Sequence, residues 1–480
     1  MKGTTGWQTI RESYLTPSTA SHVRLCVLIQ ESNTGHLWVK NLGVLSLSRP
    51  ETEERPNVLF LLIDTLRADM LGVHGHRGHL TPVMDQLSSE SFTYERSWSQ
   101  YTWTVPSYVS YMTSRYANSH GWRYSMERAL EEGLTLSDAV PTLAQVLRDS
   151  GYLTVGVVNN TYLKTHLAMD RGFDIWSHPM VDSLAVDLAI RDIEHWGADE
   201  NPNFLYVHLM PTHAPICTSE EAQATAGVDI PSAYVISPTE MCPEGGVWYR
   251  KYYEDVDVLE HNEVYQQAYR TGVREADLLI GRVLQALDDQ GERDNTIVVV
   301  TSDHGEILGE HDDHFGHGNY IYEGLTWVPL MVRAPSLEPQ TVEGRVGELI
   351  DIAPTVLDLV GLGDRTPTGW QGEVMYRAQG SDLAASERSN LMAFTNDGSL
   401  KIVENRWNGS LRWVFELETD PGEQHSVDAN PTAAAMALRE AATQWRLRFP
   451  AGAAEGEALE LDEEEQAEAL ENLRALGYVE

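Results

Sequence analysis

The sequence predicts an α/β fold: a mostly parallel central sheet sandwiched by helices, with a smaller C-terminal antiparallel-sheet-plus-helix subdomain. Three observations predict it. Apolar runs such as Asn57–Ile63 are uninterrupted and stop abruptly at a charged residue, here Asp64, as strands buried on both faces of a parallel sheet do. Helical patterns with start signals separate these runs, which is the alternation of an α/β sandwich. After about Asn390 the apolar runs shorten and are joined by turn residues such as Asn408-Gly409, the texture of antiparallel strands.

The elements follow in order. Residues 1–55 form a short β-rich segment in which His22–Ile29 and His36–Leu45 flank Ser32-Asn33-Thr34-Gly35, a hairpin turn. Two or three strands cannot stand alone. The pattern Gly35-x-x-Trp38-Val39-x-Asn41 resembles the closing strands of a jelly-roll carbohydrate-binding module, so the segment reads as a remnant of one and the N-terminus as truncated. An acidic, proline-bearing link, Arg49 to Pro56, opens the main domain, 56–390. Its expected strands are Asn57–Ile63, Leu153–Val158, Phe204–Met210, Thr296–Thr301 and Val328–Val332. Thr81-Pro82 starts a helix with a cap and a proline in the first turn, Thr142–Asp149 forms another, and Asn262–Asp289 is long and amphipathic. In the C-terminal subdomain, 391–480, strands are expected at Leu391–Phe394, Leu400–Glu404 and Leu411–Leu417, and a helix at Thr432–Leu447. A Gly/Ala/Glu-rich stretch, Ala451–Glu465, reads as a solvated linker into a last helix ending at Leu476-Gly477-Tyr478.

Composition excludes some functions. A chain of 480 residues, 42% hydrophobic with 13 Trp, can bury a large core. Its net charge of −38 would repel nucleic-acid phosphates and anionic membranes, so neither is an expected partner. Three cysteines exclude a disulfide-built scaffold. Cys217 and Cys242 flank one polar insertion and are compatible with a bridge or with two free thiols, while Cys26 stands apart. No apolar run is long enough to cross a membrane. No leader peptide is visible, so the chain as written reads as cytoplasmic, and as exported if its N-terminus is truncated. Its oligomeric state is not legible.

Ligands of open α/β sheets bind beyond the carboxyl ends of the strands, so those positions can be read for chemistry. The first strand is followed by Asp64-Thr65-Leu66-Arg67-Ala68-Asp69. Phe204–Met210 contains His208 and leads to His213, and Thr296–Thr301 leads to Ser302-Asp303-His304-Gly305-Glu306, with His317 soon after. Asp64, Asp303 and His304 offer two hard oxygens and a nitrogen, a donor set for one divalent ion, Zn, Mn, Mg or Ca. In Tyr101–Arg115, Pro106 places a helix start beside Thr104, whose hydroxyl becomes a fourth ligand or a nucleophile facing unpaired backbone N–H groups. His213 and His317 are positioned to stabilise the transferring group or protonate a leaving oxygen.

These motifs resemble the sulfatase branch of the alkaline phosphatase superfamily from about Pro56 to Pro335. Asn57-Val58-Leu59 through Asp64-Thr65-Leu66-Arg67-Ala68-Asp69 is similar to its opening metal motif, and Thr104-x-Pro106-Ser107 to its signature segment. Thr301–Glu306 resembles the second metal motif, and Phe315-Gly316-His317-Gly318 the segment with a basic site residue. Glu416–Glu423 is similar to part of the family's C-terminal subdomain. The resemblance implies one divalent metal on Asp64, Asp303 and His304, with Thr104 alongside, and catalytic roles for Thr104, His213 and His317. It also implies substrate contacts from Arg67, His120 and Asn159.

The departures are specific. Sulfatases carry a Cys or Ser, oxidised to formylglycine, where this chain has Thr104, so no formylglycine is expected. Tyr108 replaces an Arg, and Val158-Asn159-Asn160-Thr161 replaces a Gly-Lys-Trp-His segment, so a Lys/His clamp is missing. Formylglycine releases sulfate through its hydrate, an exit threonine lacks, whereas a threonine phosphoester opens by attack at phosphorus. The expectation is therefore a metal-dependent ester hydrolase acting through Thr104 on phosphate mono- or diesters of a small molecule, glycan or lipid. The alternatives are a sulfuric ester hydrolase working without formylglycine, and a ligand-binding pseudoenzyme.

Overall fold

The computed structural model describes residues 55–451 apart from 123–127, 130–133, 164, 197–200, 236–241, 243–244, 249–257, 312–314, 379, 381–382 and 429–430. The expected N-terminal β segment, and the linker and last helix beyond Ala451, lie outside the described residues.

Among the described residues, ten strands belong to the main domain: β1 (Asn57–Ile63), β2 (Phe92–Trp98), β3 (Leu153–Val158), β4 (Ile175–Ser177), β5 (Asn203–Leu209), β6 (Thr296–Thr301), the short pair β7 (Ile307–Leu308) and β8 (Phe315–Gly316), β9 (Leu330–Arg333) and β10 (Gln340–Glu348). Eight of them make one sheet, in the order β10-β2-β9-β6-β1-β5-β3-β4. All its pairings are parallel except those of β9, which runs antiparallel to β2 and β6. The mostly parallel sheet read from the sequence is thus present.

β1 shows why its run is continuous. Val58, Phe60 and Leu62 enter the core layer on one face, and Leu59, Leu61 and Ile63 the layer on the other. Burying each such side chain is worth about 1.5–3 kcal/mol relative to exposure. The expected strand at Val328–Val332 begins instead at Leu330. β2 and β10 had no continuous run to announce them, because part of each faces solvent: Glu95 in β2, and Gln340, Thr341, Glu343 and Gly344 in β10, are exposed.

Among the described residues the main helices are α1 (Pro82–Ser89), α2 (Thr104–Thr113), α3 (Ala117–His120), α4 (Leu143–Arg148), α5 (Asp182–Ile193), α6 (Glu220–Ala226), α7 (Val258–Asp289), α8 (Glu323–Thr326), α9 (Ile352–Leu359) and α10 (Met375–Ala378). Pro82 occupies the first turn of α1, and Thr142 with Gln145 forms a reciprocal capping box on α4. The 32-residue α7 packs across α1, α5 and α6. Its Tyr265, Ala268, Tyr269 and Val273 face the sheet at helical spacing. Among the described residues no helix is long and apolar enough to cross a membrane.

The C-terminal sheet is antiparallel, in the order β11 (Ala384–Arg388), β12 (Leu391–Thr395), β13 (Leu400–Asn405), β14 (Leu411–Glu416), covered by α11 (Ala433–Arg448). It starts before residue 391, the boundary expected from composition. Lys401 is fully buried between Glu323 and Glu423, 3.2 and 2.9 Å away, which ties the small sheet to the main domain. Cys217 and Cys242 are disulfide-bonded and close the insertion after β5.

Candidate active site

β1 lies between β5 and β6, with β3 beyond β5. The carboxyl ends of four adjacent parallel strands therefore converge at the centre of the sheet, where ligands of open α/β folds bind. Asp64 follows β1, Asn160 follows β3, His208 lies on β5, and Asp303 and His304 follow β6.

Asp64 is fully buried. Its Oδ2 accepts from Asn160 Nδ2 at 2.7 Å and lies 3.0 Å from His208 Nε2 and 3.4 Å from Thr104 Oγ1. Its Oδ1 has no hydrogen-bond partner. Asp303 Oδ1 accepts from the backbone N–H of Thr65 and of His304, at 3.3 and 3.0 Å, and its Oδ2 also has none. His304 Nδ1 lies 2.9 Å from the Gly305 carbonyl, which can only accept, so Nδ1 carries the proton and Nε2 presents a lone pair. That Nε2 is 3.8 Å from Asp64 Oδ1 and 3.5 Å from Asp303 Oδ2.

Two unpaired buried carboxylate oxygens thus lie within 3.8 Å of one imidazole lone pair, a donor set whose chemistry fits a divalent cation. The electrostatics agree. Burial, and the Asp64 carboxylate beside it, push Asp303 up to about 7. Burial also acts against Asp64 ionising, but the His208 hydrogen bond and the surrounding imidazoles hold its carboxyl well below the usual range. Two buried acids are stable together once a cation sits between them. Asp64, His208 and Asp303 can also be brought to one centre, each offering one atom within 4.8 Å of the others. The hydrogen bonding assigns His208 differently. An ionised Asp64 can only accept, so His208 Nε2 is the donor, and Nδ1 accepts from the Tyr206 hydroxyl at 2.9 Å. Tyr206 is in turn 2.8 Å from the Tyr111 hydroxyl. His208 therefore orients Asp64 from behind, leaving Oδ1 for the ion.

Thr104 is the first residue of α2, with Trp103 as the cap. Pro106 sits within the first turn, where its missing N–H is harmless. Thr104 Oγ1 is 3.5 Å from His304 Nε2 and is buried. Tyr108, one turn on, packs its ring against Tyr111 and Tyr206, with centroids 5.6 and 6.0 Å apart. No charged group stands at that position.

The ring of His317 lies 4.5 Å from that of His304 and 5.1 Å from that of His213. His213 donates Nδ1–H to the Ala214 carbonyl at 2.6 Å, and His317 Nδ1 lies 3.3 Å from a Glu306 carboxylate oxygen. Burial lowers both, His317 to about 4, so both are neutral at neutral pH. An ester anion arriving within ~4–6 Å would favour the imidazolium and reverse this.

Asp64, Thr104, His213, Asp303, His304 and His317 are therefore brought together as expected, and three other residues are not. Arg67 spends its guanidinium on Asp69, at 2.9 and 2.7 Å, on the Glu306 carbonyl at 3.0 Å and on Glu310. It clamps the loop after β1 to the loop after β6, rather than reaching for substrate. The clamp needs Gly305, where a Cβ would fall 2.0 Å from the Gly324 carbonyl oxygen and 3.0 Å from Arg67 Cγ. His120 joins α3 to α2: Nδ1 accepts from Trp122 N–H at 3.1 Å, so Nε2 donates to Ser110 Oγ at 3.0 Å. Ser110 lies ~9 Å along the helix from Thr104. Asn159 turns to Asp182, 2.7 Å away, and Asn160 is the one that reaches Asp64. The only local signal for His208 was an imidazole inside an otherwise apolar strand.

Comparison with known proteins agrees with this geometry. The Sulfatase family model matches residues 56–362. The N-acetylglucosamine-6-O-sulfatase of Bacteroides thetaiotaomicron is 21% identical over 514 residues, covering 84% of this chain and 88% of that one. Among solved structures, BT4656 in complex with its substrate D-glucosamine-2-N,6-O-disulfate superposes with a TM-score of 0.66 at 18% identity, over 82% of this chain and 98% of the other. The phosphonate monoester hydrolase of Silicibacter pomeroyi gives 0.63 at 21%, over 83% and 96%. The two structures show a shared fold.

Proposed function

The chain belongs to the sulfatase family of ester hydrolases, and from that premise we propose that it cleaves phosphate mono- or diesters with Thr104 as the nucleophile. The observation that carries this reading is the position of Thr104 Oγ1, at a helix N-terminus and within 3.4–3.5 Å of Asp64 Oδ2 and His304 Nε2.

Enzymes of the family use a divalent metal. Asp64, Asp303 and His304, with Thr104 at their edge, would hold the ion, and its charge would stabilise negative charge developing on oxygen. The remaining chemistry falls to the protein. Thr104 Oγ1, giving up its proton to solvent, bonds to phosphorus as the bond to the leaving oxygen breaks. That oxygen takes a proton from His213 or His317, both charged by the bound ester. Water then attacks the phosphothreonine, giving a proton to the histidine that served the leaving oxygen; the Thr104 O–P bond breaks, its oxygen is reprotonated from solvent, and phosphate, or a phosphomonoester from a diester, is freed. A sulfated threonine lacks the hydrate exit open to formylglycine, which is why phosphorus is preferred.

A second reading, sulfate-ester cleavage without formylglycine, is supported by relatives named as sulfatases, including one acting on N-acetylglucosamine-6-O-sulfate groups. Either way a small-molecule or glycan ester is the substrate class. The Cys217–Cys242 bridge supports an oxidising compartment.

The test is turnover of p-nitrophenyl sulfate, p-nitrophenyl phosphate and bis-p-nitrophenyl phosphate by protein loaded separately with Mn, Zn, Ca and Mg. Faster cleavage of phosphate or diester is expected. Dominant sulfate cleavage would overturn the threonine mechanism and leave the second reading.

A further inference from the structure

Arg388, at the end of β11, carries a charge that no acid among the described residues neutralises. Among the described residues no carboxylate pairs with it, in a chain where Asp and Glu outnumber Lys and Arg 72 to 34, and its Nε is buried without a hydrogen-bond partner. Removing an ion from water without a counter-charge is unfavourable, so the position calls for an anion from outside the chain.

Its neighbours place it at the active site. The guanidinium packs against Gly318, where a Cβ would meet Nη2 at 3.4 Å, and lies 5.8 Å from the ring centroid of Tyr101. The residue before Gly318, His317, lies within range of that charge, its ring tilted against those of His304 and His213 with centres 4.5 and 5.1 Å away. The backbone on either side is pinned to the segment that leads into Thr104. Glu387 N–H donates to the Gln100 carbonyl at 2.9 Å, and Ser389 N–H to the Tyr101 hydroxyl at 3.2 Å. Arg388 is therefore a fixed cation that the small C-terminal sheet holds at the edge of the imidazole cluster. Arg67, in the loop after β1, is already consumed by Asp69 and Glu310.

We propose that Arg388 binds the anionic oxygens of the ester substrate, as an anchoring residue that the C-terminal sheet lends to the main domain. The proposal rests on the ester-hydrolase reading of this pocket. A planar guanidinium matches a phosphoryl or sulfo group with two parallel hydrogen bonds, and sparse solvent strengthens them. It would also give the two domains a reason to be joined at β11 as well as at Lys401.

The experiment compares full-length, manganese-loaded wild type with Arg388→Gln and Arg388→Lys. KM and kcat are measured on the best aryl ester, and inorganic phosphate and sulfate are titrated as inhibitors and by calorimetry. In Arg388→Gln, KM and both inhibition constants should rise by about 10- to 100-fold, with a smaller change in kcat. Arg388→Lys should recover part of the loss, and manganese affinity and Tm should hold in both. Constants within twofold of wild type in Arg388→Gln would overturn the proposal. So would a loss shared equally by Arg388→Lys with lowered Tm, which marks a structural role. If wild type cleaves no ester, calorimetry still decides: phosphate binding lost in Arg388→Gln supports the anchor while the hydrolase reading fails, and binding retained overturns it.

Discussion

His208 Nε2 lies 3.0 Å from Asp64 Oδ2, and behind it the Tyr206 and Tyr111 hydroxyls continue the line at 2.9 and 2.8 Å. Strand periodicity builds this arrangement. Tyr206 and His208 are two apart on β5 and share a face, and Leu62 and Asp64 share the matching face across the parallel pairing. Protonation runs one way along it, from Tyr111 to the carboxylate, so one oxygen of Asp64 is held and the other is left for the metal.

Replacing His208 should therefore weaken the metal site without deleting a ligand. His208→Ala is expected to reduce manganese affinity by about 10- to 100-fold, and Tyr206→Phe by less, in calorimetric titrations. Asp303→Asn should abolish binding. Loss in His208→Ala as complete as in Asp303→Asn would make His208 a ligand, and no loss would leave the relay without a role.

Thr104→Ala should lower kcat by at least about a thousandfold, as removing a nucleophile does in enzymes whose site groups act as a unit. Acid-quenched wild type should yield phosphothreonine at residue 104, detectable by peptide mass spectrometry. Substantial turnover in the Ala variant would rule out a threonine intermediate.

Arg67 is predicted to matter for stability and not for substrate recognition. Arg67→Ala leaves the partly buried Asp69 and Glu310 unmatched, and should destabilise the protein by about 2–4 kcal/mol in denaturant titrations. Arg67→Lys should recover little, because the bidentate contact to Asp69 needs the guanidinium fork. A variant of unchanged stability with a raised KM would return Arg67 to the substrate pocket.

Asp182 accepts from Asn159 Nδ2 and Met210 N–H, at 2.7 and 2.9 Å, and burial pushes its carboxyl up to about 6 from an ordinary 3.8. Between those values the folded protein holds a proton that the unfolded chain releases, so stability falls as pH rises through the window. Asp182→Asn keeps an acceptor for both donors and does not titrate. Its stability relative to wild type should grow from pH 4 to pH 7 by on the order of 1–3 kcal/mol, read from thermal melts. A difference that stays flat with pH would exclude Asp182 as the source.

The sequence by itself determined the sandwich and the chemical edge of its sheet. β1, β3 and β6 were legible because a strand buried on both faces must be apolar throughout, and Asp64, Asp303 and His304 were legible because they end such runs. β2 and β10, partly exposed, were not. Tertiary structure alone decided what each polar group meets. Adjacent Asn159 and Asn160 diverge to Asp182 and Asp64, Arg67 is claimed by two acids, His120 by Ser110 and Trp122, and Cys217 by Cys242. The physical reason is range. Burial pattern follows from neighbours along the chain, whereas the partner of a buried donor or acceptor depends on how loops at the sheet edge come to rest, from 96 residues apart for Asn160 and Asp64 to 243 for Arg67 and Glu310, and even nearby partners are selected only once the sheet has closed.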